Sequence, residues 1–137
     1  MIQRIQSIWL LLASVFAFCT IRFSTYSGTD INNVPYTKLT GATGGFLILT
    51  LTILVGLLAA VAIFLFKNRN TQLWLCVGGV AAEIILLLLY YGQIKTFAQG
   101  TLSLTAIIHP AIITFFVLAV KGILNDKKII EDSDRLR

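Results

Sequence analysis

Charged residues are scarce in this chain. Asp, Glu, Lys and Arg make up 12% of the 137 residues, about half of the roughly 25% that is usual in globular proteins. Hydrophobic residues instead account for 57% of the chain, and its mean hydropathy is +0.87. A soluble domain of this size could not hide so much apolar surface. The composition therefore argues against a soluble domain and predicts an integral membrane protein.

Cysteine and histidine are scarce as well. The two cysteines, Cys19 and Cys76, lie in apolar stretches, without a CxxC pattern or a ligand-like spacing to the single histidine, His109. A disulfide framework or a metal site is therefore not expected, and no cofactor is predicted. The sequence also lacks GxGxxG and P-loop patterns, and no third group is expected to orient the His109 imidazole for catalysis. We predict no enzymatic activity.

The apolar residues come in four blocks. A helix that crosses a bilayer needs about 20 mostly apolar residues, which predicts spans at about 5–23, 43–66, 71–94 and 101–120 and a helical tail over 121–137. The first block has the short apolar length of a signal peptide, but bulky residues and Arg22 follow it in place of a small-residue cleavage site. We therefore expect a retained span. The predicted fold is an all-α, single-domain, four-helix transmembrane bundle with a cytoplasmic helical tail.

The connections between the spans are predicted to be short. Residues 24–41 are rich in Ser, Thr, Asn and Gly, which indicates turns and irregular backbone that cap the bundle. The turn at 67–70 makes the second and third spans antiparallel neighbours. Pro110 is expected to interrupt the fourth helix, because proline removes a backbone hydrogen bond. Tyr90 and Tyr91 are expected to mark the far end of the third span.

The basic residues predict an orientation. Three of the 11 lysines and arginines, Arg22, Lys38 and Lys95, lie on one side of the predicted bundle, and the rest lie on the side of the termini. Because cytoplasmic loops collect Lys and Arg, both termini are expected in the cytoplasm, with the protein in the bacterial inner membrane. The net charge of +5 is explained by this asymmetry. No nucleic-acid partner is expected.

Three short motifs resemble a known family. MIQRIQSIWLLLA at the start, KNRNTQLWLC at the start of the third span and SDRLR at the end are similar to a Bacteroidetes-group family of small four-span membrane proteins catalogued as a domain of unknown function. The likeness touches both termini and the middle of the chain, although Trp74 stands where typical members have a basic residue. The resemblance implies the four-span topology and supplies no activity. It lends no role to Glu83 or His109, which lie outside these motifs.

Polar residues of these motifs and their neighbours are expected to gather on the cytoplasmic face. One hypothesis makes them a docking surface for a partner protein or a neighbouring subunit. The other makes them charges that set the topology and cap one another, with Asp134 paired to Arg4 or Arg69. The candidate docking residues are Arg4, Gln6, Lys67, Arg69, Gln72, Asp134, Arg135 and Arg137.

Glu83 and His109 are the polar residues that stand out inside the predicted spans. An acid at mid-bilayer costs about 2.5–3.5 kcal/mol or more, so such a residue is a functional-site candidate by default. Counted from the turn between the third and fourth spans, the two residues differ in depth by about 4–5 Å, so a contact between them is geometrically allowed. Three interpretations stay open: a structural clasp, a proton or ion relay, and a contact of Glu83 with a partner subunit.

These observations predict a non-enzymatic inner-membrane protein. The leading hypothesis is an accessory or scaffold subunit of a larger membrane complex, in contact with the lipid bilayer and with other membrane subunits or further copies of itself. The alternative is a small transporter or a proton- or ion-conducting oligomer that uses Glu83 and His109. The sequence shows no inverted repeat, which weakens the transporter hypothesis.

Overall fold

The computed structural model describes residues 3–33, 35 and 37–135, without the side chains of residues 3, 4, 134 and 135. The described chain contains four α-helices, three short strands and one 3-10 helix. The α-helices are α1 (Gln3–Cys19), α2 (Phe46–Phe64), α3 (Arg69–Ile94) and α4 (Ile108–Arg135). The strands are β1 (Tyr26–Asp30), β2 (Thr37–Leu39) and β3 (Phe97–Leu102), and the 3-10 helix is Leu104–Ile107.

The four helices form an up-and-down bundle. α1 packs against α2 and α4, and α3 packs against the same two helices from the opposite side. The α2–α3 turn and the termini described here lie at one end, which we call the turn end. The strands lie at the other end, which we call the sheet end. The short α2–α3 turn places these two helices side by side and antiparallel.

Each helix buries a stripe of residues spaced alternately three and four apart. In α3 the stripe includes Gln72, Cys76, Gly79, Glu83, Leu86 and Tyr90, and in α4 it runs through His109, Ile112, Phe116, Ala119, Ile123 and Asp126. This spacing keeps one face of a helix against its neighbours in bundles with small crossing angles. Gly79 allows close approach of α4, because a Cβ there would lie 2.5 Å from the Phe116 ring. The bundle core therefore contains polar residues at regular positions.

The strands contradict the all-α prediction. They form an antiparallel sheet in the order β2-β1-β3, with Tyr26 opposite Leu39 on one side and opposite Leu102 on the other. The ring of Tyr26 packs edge-on against that of Phe97, with centroids 5.2 Å apart. The fold is thus mostly helical with a small sheet, and the two connections predicted as loops are held together by backbone pairing.

The start of the fourth helix also differs from the prediction. Residues 97–102, predicted as a turn and the start of the fourth span, form β3, and α4 begins only at Ile108. Pro110 consequently lies in the first turn of α4, where a missing N–H removes no intrahelical hydrogen bond. The expected interruption does not occur. In all, α4 is 28 residues long, about 42 Å at 1.5 Å per residue.

Three helical segments are long and apolar enough to cross a membrane: Phe46–Phe64, Arg69–Ile94 and Leu104–Ser133. The first helix is shorter, with an apolar stretch at Ile5–Cys19. All four helices turn large apolar side chains outward, for example Leu11, Leu57, Leu88 and Val117, each more than half exposed. The outer surface of the bundle is therefore compatible with a membrane location.

Candidate functional site

Glu83 and His109 meet inside the bundle near the sheet end. Glu83 lies on the buried stripe of α3, and His109 is the second residue of α4. The His109 Nδ1 atom lies 2.6 Å from the Glu83 Oε1 atom, and both side chains are 1% exposed. The structure therefore brings together the two residues that the sequence singled out, within hydrogen-bonding distance.

Thr25 lies within hydrogen-bonding distance of the other ring nitrogen of His109. Its Oγ1 atom lies 3.2 Å from His109 Nε2. Thr25 precedes β1 and is fixed by two backbone hydrogen bonds, in which its N–H donates to the Leu39 carbonyl and its carbonyl accepts from the Ser103 N–H. Sequence reasoning missed Thr25 because its position depends on the sheet. We call Thr25, His109 and Glu83 the buried polar chain.

The buried polar chain can hold its hydrogen bonds in two protonation states. With an ionised Glu83 and a neutral imidazole, Nδ1–H donates to Oε1 and Nε2 accepts from the Thr25 hydroxyl. With an imidazolium, Nε2–H donates to Thr25 instead, since both ring nitrogens then carry hydrogen. Glu83 orients the imidazole, through the contact that the sequence allowed. A proton can therefore be accommodated without leaving a buried nitrogen unpaired.

Hydroxyl, imidazole and carboxylate in this order also occur where a base activates a nucleophile. The buried polar chain is enclosed within the bundle, however. Thr25 is 5% exposed, and its hydroxyl faces the interior of the bundle, toward His109. In this conformation the three side chains link α3, α4 and the segment before β1.

Tyr90 completes the polar environment. Its ring centroid lies 4.9 Å from that of His109, and the residue is 1% exposed. Thr25, Glu83 and Thr52 are the polar neighbours of its hydroxyl. Among the described residues the hydroxyl has no hydrogen-bond partner. Tyr90 was expected to mark the end of a span beside Tyr91, but only Tyr91 is exposed.

The turn end has its own buried polar contact. The Gln6 amide donates to Asp126 Oδ2, and both residues are 6% exposed. Arg69 Nη1 lies 3.9 Å from the same carboxylate oxygen, as an ion pair without a hydrogen bond. These contacts join α1, α3 and α4. Arg69 is thus paired with Asp126, while the side chain of Asp134, its partner in the self-capping hypothesis, lies outside the described residues.

The predicted docking residues divide into three groups. Gln6 is buried, as described above, and Gln72 is 2% exposed, with its amide donating to the Ala62 carbonyl at 3.0 Å. These two therefore hold the bundle together and do not form an exposed surface. Lys67 and Arg69 reach the surface of the turn end. The side chains of Arg4, Asp134, Arg135 and Arg137 lie outside the described residues.

A groove of about 620 Å³ opens at the turn end. Lys127 Nζ donates to the Asn70 side chain at 3.2 Å and so connects the two walls, one from α4 and one from the start of α3. We call it the basic groove. Its lining residues are Lys67, Asn68, Arg69, Asn70, Thr71, Lys127, Ile130 and Glu131.

Beyond Asp126, none of the α4 side chains that the structure describes is buried. Residues 127–133 are all exposed, and Ile129 and Ile130 remain 54% and 46% exposed. We call residues 127–133 the α4 extension. Lys127, Ile130 and Glu131 face the basic groove, and the helical period places Lys128, Ile129 and Asp132 on a different face.

Among the described residues, no group of three His, Cys, Asp or Glu side chains could hold a metal ion. The fold and its buried polar chain define a small, mostly helical protein whose helices are apolar enough for a membrane. The chain belongs to the family described as Domain of unknown function (DUF4293), which matches residues 2–136. The predicted resemblance to an uncharacterised family is thereby confirmed. No curated protein and no solved structure matches the chain.

Proposed function

We propose that this protein is a non-enzymatic, multi-pass protein of the bacterial inner membrane that acts as an accessory or scaffold subunit of a larger membrane complex. The observation that carries the proposal is the α4 extension. It presents apolar and charged side chains that no described part of the bundle covers. The partner is another integral membrane protein, which contacts the extension where it leaves the bundle.

The composition of the α4 extension favours a protein partner. Ile129 is 54% exposed and shares the face turned away from the basic groove with Lys128 and Asp132. Interfaces commonly combine an apolar anchor with a polar rim. A short helix that packs against nothing is only marginally stable in water, because most helical stability in proteins comes from tertiary packing. A partner helix with apolar residues and charges of both signs would complement this face.

The distribution of charge supports the orientation within the proposal. The turn end carries Lys67, Arg69 and Lys127, whereas the sheet end carries Arg22, Lys38 and Lys95. The basic residues of the tail add to the turn end. Under the positive-inside rule the turn end faces the cytoplasm, and the extension meets its partner there.

The buried polar chain has a structural role in this proposal. It ties α3, α4 and the sheet together at a depth where water is scarce. Breaking such a buried pair is costly, because the remaining partner stays buried and unpaired. The buried polar chain therefore acts as a structural clasp that fixes the relative positions of α3, α4 and the sheet in the bundle that the partner contacts.

A second candidate function is proton conduction by an oligomer of this protein. It is favoured by the continuity of Thr25, His109 and Glu83, whose hydrogen bonds survive a change in protonation of the imidazole. Intramembrane Glu and His residues serve as proton relays in pumps and transporters. This candidate requires Glu83 to exchange a proton, which the accessory-subunit proposal does not.

The test is affinity purification of the tagged full-length chain from its native membrane, with intact mass determination of what co-purifies. We expect stoichiometric membrane proteins to accompany the unchanged chain and to be lost with Ile129→Glu. Ile31→Glu is the matched control, since Ile31 is 62% exposed at the sheet end. Purification as a homo-oligomer without partners, combined with proton flux in liposomes that Glu83→Gln abolishes, would establish the second candidate instead.

A further inference from the structure

We propose that the basic groove binds the phosphate group of an anionic membrane phospholipid. The inference rests on the membrane location given under the proposed function, and it assigns a ligand that the partner interface does not require. The face of the α4 extension that lines the groove differs from the face that carries Ile129. Lipid and partner can therefore bind at the same time.

The charge of the groove favours an anion. Lys67 lies in the α2–α3 turn, Arg69 is the first residue of α3, and Lys127 lies in α4. The three cations therefore line the groove from three different elements. Glu131 is the carboxylate among the residues that line the groove. Asp126 lies behind Arg69 and already accepts the Gln6 amide. The balance at the groove remains positive.

The lysines retain donors for a ligand. Lys127 Nζ uses one of its three donors on Asn70, and this bond holds the ammonium group over the start of α3. The first turn of α3 contains no acidic residue, and Asn68 does not cap it through its side chain. The amide groups of that turn add a favourable partial charge for an anion beside the cations.

The level of the groove and the exposed aromatic side chains beside the adjoining turn favour a lipid over a soluble phosphate. The groove lies between the start of α3 and the α4 extension and is also lined by the α2–α3 turn, where the segment Arg69–Ile94, long enough to cross a membrane, begins. Phospholipid phosphates lie at that level, and basic pockets between helices on the cytoplasmic side are known to bind anionic headgroups. Phe64 and Phe66 are 79% and 54% exposed beside the turn, where acyl chains would run.

The experiment measures lipid binding to the delipidated full-length protein in detergent by native mass spectrometry. The probes are phosphatidylglycerol, phosphatidylcholine of the same chain length, and inorganic phosphate. We expect phosphatidylglycerol to bind more tightly than phosphatidylcholine. The double variant Lys67→Gln with Lys127→Gln should weaken phosphatidylglycerol binding by about 10- to 30-fold, at about 1 kcal/mol for each lysine.

Two control variants sharpen the result. Lys38→Gln with Lys95→Gln removes the same charge at the sheet end and should leave lipid binding unchanged. Glu131→Gln removes the groove carboxylate and should tighten phosphatidylglycerol binding a few-fold, a gain that a misfolded variant would not show.

Three outcomes would overturn the inference. They are equal binding of the two lipids, equal loss in the two double variants, and complete competition by inorganic phosphate at the same concentration, which would make the groove a free-phosphate site only. Partner co-purification that persists without selective lipid binding would leave the proposed function intact. Recovery of the chain from the soluble fraction of cells would remove both proposals.

Discussion

The polar residues at the two ends of the bundle differ in how far they are enclosed. At the sheet end, Thr25, His109 and Glu83 are enclosed, and their hydrogen bonds are made within the chain. At the turn end, the buried contacts of Gln6 with Asp126 and of Gln72 with Ala62 lie beneath exposed charges and an open groove. The difference indicates that the enclosed polar residues of the sheet end link parts of the fold to one another, whereas the basic groove leaves charged groups of the turn end open to other molecules.

At the sheet end, removal of the Glu83 carboxylate is expected to change the free energy of unfolding the most. Glu83→Ala leaves His109 buried with an unpaired ring nitrogen, and breaking a buried pair in this way costs about 3–5 kcal/mol. We expect Glu83→Gln to lose less, because the amide oxygen can still accept from Nδ1–H. The free energy of unfolding in mixed detergent micelles measures both. Glu131→Ala, at the exposed turn end, is the control and should change stability by about 0.5 kcal/mol or less.

The sheet itself should matter for stability. A Cβ at Gly28 would lie 2.1 Å from the Gln99 carbonyl oxygen, so Gly28→Ala must push β1 away from β3. We expect a loss of about 1–3 kcal/mol, as is typical of overpacking. Gly92→Ala is the matched change, since a Cβ there meets nothing within 4 Å, and it should be neutral or stabilising. Equal melting temperatures for the two variants would show that the sheet is dispensable.

The hydroxyl of Thr25 should contribute a smaller amount. Thr25→Val keeps the shape of the side chain but leaves His109 Nε2 without its partner, for an expected loss of about 1–2 kcal/mol. Thr25→Ser keeps the hydroxyl and should recover most of that loss. A thermal-shift series of the three proteins provides the comparison. Identical behaviour of the Val and Ser variants would mean that the link between Thr25 and His109 is unimportant.

The smallest effect on stability is expected on the α4 extension. Ile129 is exposed, so Ile129→Glu should change the free energy of unfolding of the isolated protein by about 0.5 kcal/mol or less. The same variant is expected to lose the partner complex. Thermal shift of the purified variant separates the two effects. A large destabilisation would indicate that the extension packs against its own chain.

The helical parts of this fold were predictable because apolar blocks of sufficient length have few alternatives. Three such segments and membership of an uncharacterised family are confirmed. The sheet was not predictable, because β1 pairs with β3 across two intervening long helices, and Gly28 opposite Gly100 weakens any local strand signal. Thr25 was missed for the same reason.

The burial of the glutamines could have been predicted from the periodicity of the helices. Gln72 and Glu83 lie on one stripe with Cys76 and Leu86, at alternating spacings of three and four residues. The same spacing joins His109 to Asp126 along α4. A polar residue on such a stripe is expected to face the bundle interior. Gln6 and Gln72 were instead assigned to the surface because they lie near helix ends among charged residues.

The most direct test of the difference between the two ends compares Glu83→Gln and Ile129→Glu in the assembly extracted from native membranes. The quantity measured is the mass of the intact complex. We expect Glu83→Gln to keep the partner proteins at full stoichiometry and Ile129→Glu to lose them. Loss of the partners with Glu83→Gln and their retention with Ile129→Glu would show that the polar residues of the sheet end, and not the α4 extension, hold the partner.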